Sequence, residues 1–210
     1  MTEDVTIPLP TGQGEVAASL TVPDQPRGLV VFAHGSGSSR HSPRNRQVAE
    51  LLQARGQATL LLDLLTVAEE IEERSRFDIP LLAARLQTAC LWVREEPGLE
   101  TVRLGLFGAS TGAAAALITA AEPGIDVTAV VSRGGRPDLA GPYLPLVTSP
   151  TLLIVGGADP QVLDLNRQAA ALLPRARLAV VPGATHLFEE PGALRQVADL
   201  AADWFGDHFS

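Results

Sequence analysis

Six short apolar runs punctuate the chain: "GLVVFAH" (28–34), "ATLLLDL" (58–64), "VRLGLFG" (102–108), "VTAVVSR" (127–133), "TLLIVGG" (151–157) and "RLAVVPG" (177–183). They are continuous rather than alternating, the pattern of strands covered on both faces, and helix-compatible segments separate most of them. The spacing predicts helices over 45–55, 79–95, 110–121, 161–173 and 191–206. The N-terminus reads differently. "DVTIPLP" and "EVAASLTVP" flank "TGQGE", a glycine-bearing link too short for a crossover helix, so an antiparallel hairpin is expected there. The pattern as a whole predicts an α/β fold: a mostly parallel sheet with an N-terminal antiparallel hairpin and helices on both faces. The link from Arg133 to Pro150, rich in Gly and Pro, is too short for an inserted lid domain and should hold a short helix or loop.

Composition narrows the functional classes. With 210 residues, 46% of them hydrophobic, the chain can bury one substantial core, and a single domain over 1–210 is expected. Charged residues make up 19%, which excludes a largely disordered chain. The formal charge is −8 and all sixteen basic residues are arginine, leaving no broad basic surface for a phosphate backbone; nucleic acid is not an expected partner. The start "MTEDVTIPLP" lacks the basic and apolar regions of a signal peptide, and no apolar run approaches the roughly 20 residues of a membrane span. A cytoplasmic protein without membrane contact, monomeric or homodimeric, is the expectation. Cys90 is the only cysteine, which excludes an internal disulfide or cysteine-based metal cluster, and its surroundings suggest packing.

Chemistry concentrates where "LGLFG" gives way to "ASTGAAAALITAA". Gly108-Ala109-Ser110-Thr111-Gly112 is a G-x-S-x-G turn between a buried strand and a helix, the context of a nucleophile elbow. Side chains at 108 or 112 would collide with neighbouring elements, and the turn sets Ser110 at a helix N-terminus, where N–H groups favour developing negative charge. The competing reading is that Ser110 only caps the helix.

A serine hydroxyl needs an imidazole base oriented by a carboxylate. His186, in "VVPGATHLFEEPG", follows the last strand and lies at the same sheet edge as Ser110. His208 lies in the C-terminal segment, His34 closes a strand and is expected to hold its loop, and His41 sits among arginines. For the acid, Asp159 in "LLIVGGADP" follows the preceding strand and gives the chain order Ser, Asp, His. Asp138 competes, but Arg133 and Arg136 offer it local ion pairing, and Asp164 falls inside a helix. The oxyanion hole is expected from the backbone N–H of Thr111 and, in the loop "HGSGSSRHSPRNR", from that of Ser36. The same loop lacks the G-K-[ST] ending of a phosphate-binding loop and the G-x-G-x-x-G spacing of a dinucleotide site. The scattered histidines offer no nucleus for a metal site.

Together, "FAHGSGSSR", "GASTG", "GGADP" and "PGATHLFEEPG" resemble the α/β-hydrolase superfamily, and within it the small dienelactone hydrolase-related proteins. The resemblance covers nearly the whole chain. It implies the α/β-hydrolase fold, with Ser110 as nucleophile, Asp159 as acid, His186 as base, and Ser36 and Thr111 at the oxyanion hole. It also implies cleavage of esters, lactones or related acyl bonds of a small molecule without a cofactor. Dienelactone hydrolases proper carry a cysteine nucleophile where this chain has Ser110, so a serine esterase is expected rather than a lactone specificity. Acyl transfer or perhydrolysis through the same acyl-enzyme, and a catalytically silent binding module, remain alternatives. Arg40 and Arg44 follow the oxyanion segment and are candidates for binding an anionic substrate group, against a reading as paired surface charge. The acidic segment 66–80 reads either as a partial cover or as a solvated loop.

Overall fold

The computed structural model describes residues 2–210. Eight strands form one sheet: β1 (Thr2–Pro8), β2 (Glu15–Thr21), β3 (Leu29–Ala33), β4 (Ala58–Leu62), β5 (Leu104–Ala109), β6 (Ala129–Arg133), β7 (Thr151–Gly156) and β8 (Ala176–Val181). Their order is β1-β2-β4-β3-β5-β6-β7-β8, antiparallel at the β1–β2 and β2–β4 pairs and parallel from β4 onward. The N-terminal hairpin and the mostly parallel sheet are therefore as the hydrophobic pattern predicts.

Six helices surround the sheet: α1 (Pro43–Ala54), α2 (Val67–Ile71), α3 (Ile79–Glu95), α4 (Thr111–Ala120), α5 (Pro160–Leu172) and α6 (Ala193–His208). Strand alternation splits the core into two layers. Val31, Leu60, Leu104 and Leu106 pack with Leu86 of α3 and Leu117 of α4 on one face. Val30, Phe32 and Phe107 pack with Val48 and Leu52 of α1 and Phe205 of α6 on the other. The Phe32 and Phe107 rings meet at 4.8 Å between centroids. This is why the runs are continuous in sequence: each face of the central strands has helices to bury against.

Helix starts are set locally. Ser42, Asp78 and Asp159 accept N–H bonds from Asn45, Leu81 and Val162 at the heads of α1, α3 and α5, each with a proline in the first turn. The link after β6 contains only a 3-10 segment, Pro137–Leu146, packed on α4 and α5. The acidic stretch departs from a plain loop: it folds as α2 followed by a 3-10 turn, Glu73–Phe77. No helix of the described residues is long and apolar enough to cross a membrane.

Candidate active site

β5 is the middle of the parallel sheet and delivers Ser110 to its carboxyl edge. Ser110 adopts φ 52°, ψ −119°, a strained conformation for a residue with a Cβ. Neighbouring backbone enforces it. A Cβ on Gly108 would stand 2.4 Å from Ala113 Cα, and one on Gly112 would stand 2.3 Å from the Ala33 carbonyl oxygen, so only hydrogen fits at either flank. The Ser110 N–H donates to Arg133 O at 3.2 Å, and the Ser110 carbonyl accepts from Arg136 N at 3.1 Å. Although Ser110 occupies the N-cap position of α4, its side chain makes no capping bond. The hydroxyl is not consumed by the helix.

His186 lies on the loop after β8, with Asp159 on the loop after β7, and close backbone contact brings the loops together. A Cβ on Gly156 would stand 2.3 Å from Ala184 O, and Ala158 N donates to Ala184 O at 2.9 Å. The result is a bond of 2.9 Å between His186 Nδ1 and Asp159 Oδ2. Facing a carboxylate, Nδ1 carries the proton, and Nε2 keeps its lone pair. Asp138 instead forms a bidentate pair with Arg136, at 2.9 and 2.7 Å. The remaining histidines are engaged elsewhere: His34 bonds Gly35 O and Leu64 N, His41 meets Arg46, and His208 bonds Trp204 O.

Ser110, Asp159 and His186 line one cleft of about 290 Å³ with Arg136, Gln161, Val162 and Leu165. The last four were not singled out as site residues from sequence. Arg136 could have been, since it follows the Gly134-Gly135 pair at the carboxyl end of a parallel strand, the edge where ligands bind in open α/β sheets. Arg40 and Arg44 do not line this cleft. Arg40 is ion-paired with Asp63, and Arg44 approaches Glu189 at 3.5 Å.

Two further features frame the site. Ser36 N–H donates to Thr111 Oγ1 at 2.9 Å, which brings the two expected oxyanion residues together but engages the Ser36 amide expected to face a substrate oxygen. Arg133, almost fully buried with no carboxylate in ion-pair range among the described residues, lies 5.9 Å from the centroid of the Phe188 ring, two residues beyond His186. Burial, reinforced by the Arg44 charge, lowers its pKa to about 10. Cys90 is buried, which pushes its thiol up to about 12 and leaves it inert packing.

The strand order and the elbow define the α/β-hydrolase class. Comparisons agree: the esterase Est1E of Butyrivibrio proteoclasticus superposes with a TM-score of 0.82 over 98% of both chains at 15% identity. A dienelactone hydrolase structure from Anabaena variabilis is 52% identical, with a TM-score of 0.94, covering 99% of this chain and 98% of that one. The chain belongs to the dienelactone hydrolase family. A curated protein of Mycobacterium tuberculosis, provisionally named a phosphoribosyl transferase, is 60% identical over 206 residues. The match takes in 98% of this chain, which spans only 46% of that relative. No family model matches the chain.

Proposed function

We propose that this chain is a serine hydrolase that cleaves small carboxylic esters or related acyl bonds through an acyl-enzyme on Ser110. The observation that carries this reading is the His186–Asp159 bond of 2.9 Å, which leaves Nε2 free in the cleft that also holds the uncapped Ser110 hydroxyl. In this reading Nε2 removes the hydroxyl proton as Ser110 Oγ attacks the carbonyl carbon, and Asp159 stabilises the imidazolium that forms. The Thr111 N–H at the head of α4 is the amide donor to the developing oxyanion, and the Thr111 hydroxyl, whose oxygen takes the Ser36 N–H, is the second donor in place of that amide. His186 then passes the proton to the leaving oxygen. Water, activated by the same imidazole, releases the acid and restores Ser110. No electron transfer is involved, so the chemistry asks for no cofactor.

The family alone does not name the substrate, and the serine in the elbow gives no warrant for a lactone. The transferase name of the mycobacterial relative belongs to a protein about twice as long. The direct test is p-nitrophenyl acetate turnover together with labelling by a fluorophosphonate. The protein should turn over the ester and take one label at Ser110, and Ser110→Ala should do neither. Turnover that survives in Ser110→Ala would overturn the assignment.

A further inference from the structure

A second cavity, of about 690 Å³, lies at the carboxyl ends of β3 and β4, on the other side of β5 from the triad loops. Its walls are the loop after β3, including Gly37 and Ser38, and the segment after β4, including Leu65, Val67, Glu70 and Ile71. The sheet order fixes this placement: β3 and β4 lie on one side of β5, while β6, β7 and β8, whose loops carry Arg136, Asp159 and His186, lie on the other. The loop after β3 also touches the nucleophile, because a Cβ on Gly35 would stand 3.2 Å from Ser110 Cβ. Ser110 lines the first cleft, and Gly35, packed on Ser110, adjoins His34 in the wall of the second.

The polar groups of this cavity are largely spent. Asp63 receives Arg40, and Glu70 pairs with Arg76 at 3.0 Å. Ser42 accepts from Asn45 N and Ser39 from His41 N, at 3.3 and 3.2 Å, and Thr66 is held in a capping box with Glu69. Ser38 and His41 also line the cavity, and its most open side chains are apolar: Val67 is 87% exposed and Ile71 80%. α2 buries none of its own residues, so these two side chains do nothing for its packing. The helix is held by its capping box and by buried Arg85, which reaches Glu69 at 2.6 Å. It is a fixed wall presenting apolar surface to a cavity within the roughly 300–1,000 Å³ range of small-molecule sites.

We propose that this cavity receives an uncharged, apolar acyl group of the substrate, an inference that rests on the ester-hydrolase reading above. His186 must hand its proton to the leaving oxygen, so the leaving group lies on the His186 side. The acyl substituent then extends past the oxyanion loop toward α2. A carboxylate-bearing acyl group is disfavoured, since the one guanidinium lining the cavity, Arg76, is already paired with Glu70.

The experiment uses Ser110→Ala, which binds esters without acylation, so that affinity is read apart from chemistry. The equilibrium affinities of p-nitrophenyl acetate and p-nitrophenyl hexanoate are measured in this protein and in the variant that adds Val67→Asn and Ile71→Asn, both at exposed positions. Each buried methylene strengthens binding about fourfold. The hexanoate should therefore bind at least about 10-fold tighter than the acetate, and the added asparagines should remove most of that gap. Equal affinities, or a gap that survives both asparagines, would overturn the assignment of this cavity. Failure of the hydrolase reading shows separately, as ester turnover that persists in Ser110→Ala.

Discussion

The Ser36 amide donates to Thr111 Oγ1 at 2.9 Å, so the N–H assigned to a substrate oxygen already has an acceptor in the free chain. The hydroxyl proton of Thr111 has no acceptor among the described residues and is available to the carbonyl oxygen in its place. Thr111→Val removes that proton at nearly constant volume. It should lower kcat for p-nitrophenyl acetate by about 10²-fold, the scale of one lost oxyanion donor, with little change in KM, while Thr111→Ser stays within a few-fold of the parent. A kcat that rises in the valine variant would mean that Thr111 only shields the Ser36 amide.

Strain at Ser110 makes a prediction about stability. A residue held at φ 52°, ψ −119° costs on the order of 1–3 kcal/mol, which glycine relieves in part after its own entropic loss. Ser110→Gly should therefore be inactive yet more stable than the parent by about 1 kcal/mol, whereas Ser110→Ala keeps the strain and the parent stability. Urea unfolding of the three proteins checks this; a glycine variant less stable than the alanine variant would contradict it.

At Gly112 the obstacle is backbone, the Ala33 carbonyl, which no rotamer change can move away. Gly112→Ala should cost about 3 kcal/mol or more. Gly124 has nothing within 4 Å of a built Cβ, so Gly124→Ala should leave the unfolding midpoint unchanged or raised. Similar midpoints for the two variants would refute the crowding argument.

Stability should also fall in acid because of His34. Its Nδ1–H donates to Gly35 O and its Nε2 accepts Leu64 N–H, an arrangement only the neutral ring can make. Burial holds its pKa below the ordinary 6.5, against smaller opposing effects from Gly35, Asp63 and Glu70. The unfolded chain therefore binds the proton first. The stabilising effect is complete above pH 6.5 and is lost as pH falls through that value toward the folded pKa. His34→Gln should flatten the decline in unfolding free energy below pH 6.5; an unchanged slope would exclude His34 as its source.

For the arginines, position in the fold gives distinct kinetic expectations. Arg44 lies beside Glu189 and outside the cleft, so Arg44→Ala should shift KM equally for a neutral ester and for one with an anionic leaving group. Arg136 lines the cleft with its guanidinium held by Asp138, so Arg136→Ala should raise KM for the anionic ester only modestly more. Asp138→Asn, which releases the guanidinium, should lower that KM by an amount that shrinks with added salt. The reverse ranking would move anion recognition to the loop after β3.

These expectations were unevenly legible in the sequence. The five long helices lie within two residues of their expected ends, because each has a buried face and three of them, α1, α3 and α5, start at a capping residue followed by proline in the first turn, as at Ser42-Pro43 and Asp159-Pro160. α2 was missed as a helix: it is five residues long and buries nothing, so hydrophobic periodicity had no signal to give. Its only trace was Thr66 three residues before Glu69, the spacing of a capping box. The elbow could be read because its glycines answer to local crowding. The walls of the clefts were less legible: Gln161 and Leu165 follow Asp159 on α5 and Arg136 follows β6, but no sequence pattern marks which of their neighbours line a cleft.

The helix behind Ser110 and the helix beside the second cavity stand at opposite ends of mutational freedom. All ten residues of α4 are buried, none with a side chain larger than Leu or Ile, so enlarging them would press on the strand that carries the nucleophile. Val67 and Ile71 of α2 can change with little penalty to the fold. A lineage built on this plan can drift in what it accepts while the way it cuts stays fixed.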